Sequence, residues 1–358
     1  MGGIIAYLVN KLLLIFVYSL PMNKILLTIL PFLLLATVSI HAQSSDETYA
    51  LSAAELGGWV NFLASDEMKG RQNGSAEMEV AASWIAGKFT EFGIKPVYSD
   101  GQLLQPYKFN SRRGGTYHER NVVGMIEGTD PGKRDEFIII SAHFDHVGIR
   151  QAVDGDSIYN GADDNAAGTC TLLGLAKAFH KNNYQPGRTI LFASVSGEEM
   201  GLHGSRHLAS NMPLPAEDAY ANINFEMTGH SEDLGTGNYF MTGCSFSNLD
   251  DLIQEFNKDK SFTLIDTVAM GDRLFYMSDN LAFARIEREE GVSKGIPCGT
   301  FVTTTSAKHI HTPQDEAEFF DFENMAGLVN HFAEMVLWLS HCDKDIVWTD
   351  PKFTRLEE

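Results

Sequence analysis

The sequence contains little cysteine. Only four of its 358 residues are cysteines, and no two of them form a Cys-x-x-Cys pair. This scarcity excludes a zinc site built from thiolates and a small scaffold held together by many disulfides. A single disulfide formed after export, for instance between Cys244 and Cys298, stays open, as does the alternative that all four are small buried apolar side chains.

Positive charge is scarce as well. The chain has 47 acidic and 27 basic side chains, which gives a formal net charge of -20 at pH 7. A surface of this sign repels nucleic-acid phosphates and anionic lipid, so we expect no nucleic-acid partner. Hydrophobic residues nevertheless make up 44% of the chain, which is enough to build a large buried core.

The apolar segment that follows Met22 is too short for a membrane-spanning helix. It begins with a single basic residue, Lys24, continues as an apolar run over residues 25–40 and ends at a small residue, Ala42. This order is typical of a secretory signal peptide, and the run is shorter than the roughly 20 residues that span a bilayer. We therefore expect a protein exported to the periplasm or the extracellular space, with no stable membrane anchor after cleavage.

The sequence divides into three parts. Residues 1–42 are the predicted leader, residues 43–50 a polar linker and residues 51–358 one folded domain, because no repeat or composition break interrupts the last part. A second apolar stretch, over residues 4–20, precedes Met22. Translation therefore starts either at Met22, which we favour, or earlier with an unusually extended leader.

Short apolar segments rich in β-branched residues alternate with helical patterns through the folded part. Apolar residues recur at helical spacing over residues 76–92 and 322–339. Between these helices lie five candidate strands: Val122–Ile126, Phe137–Ala142, Thr189–Val195, Ala221–Phe225 and Thr300–Thr304. The alternation predicts an α/β fold, a single-domain three-layer sandwich whose mixed, mostly parallel central sheet is covered by helices on both faces.

In such a sheet the chemistry gathers outside the carboxyl ends of the strands. His143 and Asp145 directly follow the second candidate strand, with one residue between them. A pair of this kind can supply a metal-binding imidazole together with the carboxylate that orients it. In isolation, a loop histidine beside a solvated aspartate explains the pair better than a metal site does.

Two pairs of adjacent acids occupy similar positions. Asp163 and Asp164 lie between glycines before a helical pattern, and Glu198 and Glu199 follow the third candidate strand. One of the aspartates fits a helix N-cap, and the other can bridge two cations. Two adjacent glutamates repel each other in a buried site unless a cation neutralises them, so one can bind metal while the other acts as a base. A solvated turn is the alternative for the glutamates.

Two further residues complete the pattern. Glu226 ends the fourth candidate strand, and His311 lies in a polar turn before the last helix. Nitrogen and oxygen donors without thiolate suit catalytic zinc or a similar divalent ion, and a mixed cluster of imidazoles and carboxylates suits a pair of ions. The combination therefore predicts a metal site, although each motif alone does not.

The order HFDH, GADDNAAG, SGEEMG, NFEMTG, SDNLAFA and HTPQDE resembles the di-zinc aminopeptidase family that includes the bacterial leucyl aminopeptidases. More distant relatives are the glutamate carboxypeptidase and transferrin-receptor group and the one-zinc glutaminyl cyclases. The segments LASDEMKGRQNGS and NVVGMIEGTDP extend the resemblance over nearly the whole mature chain. The resemblance implies two Zn²⁺ per chain, with the following ligands: His143, Asp164, Glu199, Glu226 and His311.

The resemblance also implies roles and an activity. Asp164 bridges the ions, Glu198 is the general base, and Asp145 is the partner that orients His143. The implied reaction removes the N-terminal residue from peptides with a free N-terminus, by means of a water held between the zincs and deprotonated by Glu198.

Two positions depart from the family pattern. Glu226 stands where relatives often have aspartate, and Asn280 stands where many have histidine. We therefore expect looser metal binding at Glu226, assign no catalytic role to Asn280, and regard Asp279 as a candidate pocket contact. A one-zinc acyltransferase similar to glutaminyl cyclase and a non-catalytic binding domain on the same fold remain alternatives. The preferred N-terminal residue and the oligomeric state stay open.

Overall fold

The computed structural model describes residues 48–111, 114–268, 270–286, 295–306, 308–350 and 353. The predicted leader and residues 43–47 of the predicted linker lie outside the described residues. Residues Tyr49–Glu358 form one compact unit. Within the described part, no helix combines the length and the apolar character that crossing a membrane requires.

Eight α-helices lie in the described part. They are α1 (Ala53–Leu63), α2 (Ala76–Glu91), α3 (Gly168–Lys181), α4 (His203–Ser210), α5 (Leu249–Asn257), α6 (Gly271–Leu274), α7 (Asn280–Ala284) and α8 (Phe322–His341). Side-chain caps fix three of their starts: Ser52 accepts from the Glu55 N–H, Ser75 from the Met78 N–H and Asp321 from the Asn324 N–H. Each cap satisfies a backbone donor that the first turn leaves unpaired.

Eleven strands accompany these helices. They are β1 (Lys95–Pro96), β2 (Leu104–Asn110), β3 (Thr116–Ile126), β4 (Phe137–His143), β5 (Gly148–Val153), β6 (Asp156–Tyr159), β7 (Thr189–Val195), β8 (Ala219–Phe225), β9 (Asn238–Met241), β10 (Thr263–Leu264) and β11 (Cys298–Val302). Nine of them form the main sheet in the order β1-β3-β7-β4-β8-β11-β9-β10, with β2 paired to β3. The remaining two, β5 and β6, form a hairpin.

The centre of the main sheet is parallel and its flanks are antiparallel. Strands β7, β4, β8 and β11 pair in parallel, whereas β3 and β9 join them antiparallel. Strands β4, β7 and β8 are buried along their whole length, as expected for parallel strands covered on both faces. The prediction of a mixed, mostly parallel sheet is confirmed.

Successive residues of β4 point into two different cores. Ile138 and Ile140 pack in the larger core, which includes the buried faces of α1, α2, α3 and α8. Phe137 and Ile139 pack in the smaller core with Leu208 of α4 and Phe283 of α7. Because side chains alternate across a strand, one continuous apolar run serves both layers and gives the predicted three-layer sandwich.

The observed elements differ from the predicted ones at their ends and in the weakly patterned regions. The strand predicted over residues 300–304 runs from Cys298 to Val302, where Thr303 N turns to donate to Met227 O. The short β9 was not predicted, because its four residues are a run too short to carry a period. None of the four cysteines, all of which lie in the described part, forms a disulfide.

The larger core contains one buried histidine away from the strand ends. His331 of α8 is 3% exposed and packs against the rings of Tyr239, Phe256 and Phe262. Its Nε2 has no hydrogen-bond partner among the described residues. Burial, followed by the charge of Lys260, lowers the pKa of His331 from 6.5 to about 4, because an imidazolium would be desolvated there.

Candidate metal centre

The predicted ligands meet at the carboxyl edge of the parallel strands. His143 is the last residue of β4, Glu226 directly follows β8, and Glu199 lies four residues after β7. Asp164 lies in the irregular helical turn Ala162–Ala167 that leads into α3. His311 comes from the segment between β11 and α8. The parallel register places all of these chain ends at one edge.

The first group of donors consists of His143, Asp164 and Glu226, whose ligand atoms lie within 4.8 Å of one another. His143 Nε2 is 3.4 Å from Asp164 Oδ1 and has no hydrogen-bond partner in the described part. His143 Nδ1 is 3.1 Å from the carbonyl oxygen of Asp145. Since a carbonyl can only accept, Nδ1 carries a proton, and Nε2 is the nitrogen that a metal could bind.

The second group consists of His146, Asp164, Glu199 and His311, and it shares Asp164 with the first. His311 Nε2 lies 2.9 Å from Glu199 Oε1 and 3.2 Å from Asp164 Oδ2. His146 Nδ1 lies 3.0 Å from the same glutamate oxygen. The structure thus gathers every predicted ligand and adds His146, while the assignment of each as a ligand stays a prediction.

Asp145 holds the turn that carries the two glutamates. Its carboxylate accepts from Asn73 Nδ2 at 2.6 Å, from the Glu198 N–H at 3.1 Å and from the Glu199 N–H at 3.3 Å. Its Oδ1 is 3.7 Å from His143 Nδ1, which is farther than its own carbonyl oxygen. The side chain of Asp145 therefore positions the Glu198–Glu199 turn, and its carbonyl orients His143.

The buried site contains more acidic side chains than positively charged ones. Burial, followed by the charges of Glu226 and Asp279, raises the pKa of Glu198 well above its usual range. Burial likewise raises the pKa of Glu226 to about 7 and that of Asp279 to about 6. Carboxylates crowded in this way favour either protonation or a bound cation.

The neighbouring carboxylates raise the pKa values of two imidazoles and so favour their charged form. Hydrogen bonds with Asp164 and Glu199 raise the pKa of His311 to about 10. Burial disfavours the charged form of His143, but the charges of Asp164 and Glu226 outweigh it and raise its pKa to about 9. Burial opposes ionisation of Glu199 as well, yet the adjacent imidazoles of His146 and His311 hold its pKa below the usual range. The carboxylates thus favour a positive group beside them in both donor groups, either a protonated imidazole or a cation.

The turn that carries Asp164 is fixed by one further carboxylate. Asp315 Oδ1 accepts from the Asp163 N–H at 2.7 Å, and its Oδ2 accepts from the Asp164 N–H at 3.1 Å. Asp163 in turn accepts from the Gly229 N–H at 2.9 Å. The two adjacent aspartates thus have different roles. Asp164 belongs to both donor groups, and Asp163 connects the turn to the segment after β8 by a hydrogen bond.

A buried arginine joins the two loops that carry His143 and Asp164. Arg71 is fully buried, and its guanidinium donates to four main-chain carbonyl oxygens at 2.6 to 2.8 Å: those of Leu63, Phe144, Asn160 and Gly161. No carboxylate pairs with it directly among the described contacts. Its five donors in a planar fork suit several acceptors at once.

Several residues of this site have no role predicted from the sequence. His146 stands in the quoted HFDH motif and Asp315 in HTPQDE, but neither was assigned a role. Asp279, expected as a pocket contact, is fully buried next to the cluster, and neither of its carboxylate oxygens has a well-aligned hydrogen bond within the described part of the chain. Asn280 is structural: it donates to the Phe275 carbonyl and accepts from Thr300 Oγ1.

Two clefts are lined in part by residues of the donor groups. One, of about 370 Å³, is lined by Asp163, Asp164, Met227, His230, Glu232, Asp233, Thr304, Lys308 and Phe319, among others. The other, of about 750 Å³, is lined by Tyr117, His146, Val147, Arg150, Tyr159, Glu199, Met200 and His311, among others.

The segment from Asn121 to Val336, more than half of the chain, matches the model of peptidase family M28. The chain belongs to peptidase family M28. The resemblance drawn from the motifs is thereby confirmed, and the matched segment contains all five predicted metal ligands of this M28 protein.

Individual relatives agree with this membership. The M28 chain is 28% identical over 208 residues to leucine aminopeptidase 1 of Pyrenophora tritici-repentis, an alignment that covers 56% of this chain and 51% of that protein. The chain thus spans about half the length of the curated relatives it matches.

Solved structures share the M28 fold. A leucine aminopeptidase precursor from Bacteroides thetaiotaomicron superposes with a TM-score of 0.61 at 18% identity, covering 81% of this chain and 98% of that one. Porphyromonas gingivalis glutaminyl cyclase superposes with a TM-score of 0.59 at 16% identity, covering 80% and 98%. Because an aminopeptidase and a glutaminyl cyclase share this fold, the fold alone does not distinguish between these two activities.

Proposed function

We propose that this M28 protein is an exported di-zinc aminopeptidase that removes the N-terminal residue from peptides. The observation that carries the proposal is the pair of donor groups that share Asp164. All donors are imidazole nitrogens or carboxylate oxygens, which suits a pair of zinc ions. His143, Asp164 and Glu226 would hold one ion, and Asp164, Glu199 and His311 would hold the other.

Zinc, when bound, supplies a water of lowered pKa and polarisation of a carbonyl. Glu198 is the residue that we assign to move the proton, taking it from the attacking water and delivering it to the leaving amine. Its backbone is fixed by Asp145, and the charges that act on its carboxyl come from Glu226, Glu199 and Asp164 of both donor groups. These charges indicate that the Glu198 carboxyl lies near both donor groups, which supports its assignment as the base.

The smaller cleft supports recognition of a free N-terminus. Besides Asp164, its lining contains one lysine, Lys308, and the following acidic residues: Asp163, Glu232, Asp233 and Asp315. An excess of carboxylates attracts the protonated amine of a peptide. Recognition of that amine would restrict cleavage to the first peptide bond.

Export rests on the sequence pattern of residues 1–42 alone. The same pattern predicts that residues 43–50 are a linker and that residues 51–358 are the catalytic domain. Edman sequencing of the protein secreted by the producing cell tests this: an N-terminus close to Gln43 supports the leader, and an N-terminus at or before Met22 contradicts it.

A glutaminyl cyclase is the second candidate, favoured by the shared fold of the Porphyromonas gingivalis enzyme. The two donor groups argue for two ions, whereas the cyclases that the motifs resemble use one. Non-catalytic binding is the third reading, and the completeness of both groups argues against it.

The deciding experiment measures product and zinc content together. Purified mature protein is incubated with a panel of aminoacyl-p-nitroanilides, with the same compounds acetylated at the amine, and with a peptide that begins with glutamine. We expect about two zinc ions per chain, free amino acid from the unblocked substrates and no product from the acetylated ones. One zinc per chain with pyroglutamate as the product would replace the proposal with the cyclase.

A further inference from the structure

We propose that His146 is a fourth protein ligand of the ion held by Asp164, Glu199 and His311, so that the two ions have unequal coordination. The inference rests on the proposed di-zinc function and adds a residue to one of its sites. His146 lies three residues after His143, on the loop that leaves β4.

The imidazole of His146 is buried and points at the cluster. Its side chain is 0% exposed, and Nδ1 lies 3.0 Å from Glu199 Oε1 and 3.8 Å from Asp164 Oδ2. Neither ring nitrogen has a well-aligned hydrogen bond within the described residues. A buried imidazole without such a bond is costly unless something else binds its nitrogen.

The surrounding backbone is shaped to receive this ring. Gly161 adopts φ +60°, and a Cβ added there would lie 2.4 Å from Cγ and 2.5 Å from Cδ2 of His146. The backbone N–H of His146 donates to the Arg71 carbonyl at 3.2 Å. Glycine at position 161 thus allows close approach of the ring to the turn that carries Asp164.

The distances fit one tetrahedral ion. Zinc ligands at about 2.0–2.2 Å from the metal stand about 3.4 Å apart in a tetrahedron. The four measured separations of the donors in this group range from 2.9 to 3.8 Å. Two nitrogens and two oxygens therefore surround a point that a single zinc ion can occupy.

The count of ligands then differs between the two ions. Zinc sites with four protein ligands are typical of structural ions, and sites with three keep a position for water or substrate. With His146, the second group has four protein donors, while His143, Asp164 and Glu226 remain three. The ion of His143 is thus the one that offers a position to the reacting groups, and the ion of His146 is the tightly held one.

The test titrates the chelated full chain with Zn²⁺ in competition with a metal-binding dye. The variants are His146→Leu, which removes the donor but fills most of the space, and His118→Leu, a matched loss of an exposed imidazole on β3. We expect His146→Leu to weaken the tighter of two affinities by about 100-fold or more, since even residues that only support a ligand cost 10–100-fold. His118→Leu should leave both affinities unchanged.

X-ray absorption at the zinc edge tests the same point without a substitution. Three imidazoles for two zinc ions support the inference, and two imidazoles for two ions overturn it. Two unchanged affinities in a folded His146→Leu chain also overturn it, while leaving the di-zinc proposal intact. If the unsubstituted chain binds fewer than two zinc ions, the proposed di-zinc function is contradicted, and the inference about His146, which rests on it, is contradicted as well.

Discussion

Replacement of Arg71 tests how the metal-bearing loops are held together. Its guanidinium makes four hydrogen bonds to main-chain carbonyls, and two of the acceptors, Phe144 and Gly161, are neighbours of His143 and of the turn that carries Asp164. A hydrogen bond to a charged group stabilises by about 1.5–3 kcal/mol. The four share one guanidinium that is costly to bury, so their contributions do not add.

We expect Arg71→Met to lower the free energy of unfolding by about 4 kcal/mol, because four buried carbonyl groups lose their donor and each unsatisfied buried polar group costs about 1–3 kcal/mol. Arg71→Lys should lose about 2 kcal/mol, because an ammonium can serve some but not all of the four acceptors. Urea unfolding followed by circular dichroism in the presence of a chelator measures both without a contribution from zinc.

The matched control is Arg134→Met, at an arginine whose side chain is 61% exposed. It should change stability by less than about 0.5 kcal/mol. Zinc affinity of Arg71→Lys should fall by about 10–100-fold, as for other residues that support ligands. A loss below about 1 kcal/mol for Arg71→Met, the size of an average substitution, would refute the reasoning.

Three more predictions concern other parts of the molecule. His331 has a lower pKa in the folded chain, about 4, than in the unfolded one, so the unfolded state binds the extra proton. Stability should therefore fall by up to about 3 kcal/mol as the pH drops from 6.5 to 4, and a His331→Leu chain with the same pH slope would contradict this. Asp315→Asn keeps only one side-chain acceptor for the N–H groups of Asp163 and Asp164, so the zinc affinity should drop by about 10–100-fold. An unchanged zinc affinity would show that the turn carrying Asp164 keeps its conformation without these hydrogen bonds. Removal of zinc by a chelator should lower the melting temperature. The loss of stability is equivalent to about 2.7 kcal/mol if free zinc had been present at 100 times its Kd. Differential scanning calorimetry with and without chelator measures the change, and equal melting curves would contradict metal binding.

The strands that carry the site could be predicted because burial on both faces gives a continuous apolar run. β7 matches its predicted bounds, and β4 extends the predicted strand by one residue to His143. The residues that follow these runs are polar, so their position at one edge followed from the parallel arrangement.

The place of His146 could not be predicted in the same way. An extended segment would point it away from His143 and Asp145, but β4 ends at His143, and the loop then turns. Its ring position depends on Gly161, which comes from a different part of the chain. Similarly, residues 270–280, for which no helix or strand is predicted, contain short helical turns. The packing of Phe275 and Leu281 in a buried cluster stabilises these turns, and they are too short to show a hydrophobic period in the sequence.

Turnover of the Glu198→Gln chain tests the central proposal most directly. Gln has nearly the same shape but cannot accept the proton, and Glu198 is not a member of either donor group. With the best anilide of the panel and two zinc ions bound in both proteins, kcat should fall by about 10²–10⁴-fold, while Glu67→Gln, at an exposed glutamate, keeps normal turnover. Near-normal kcat in the Glu198→Gln chain would contradict the assignment of Glu198 as the base.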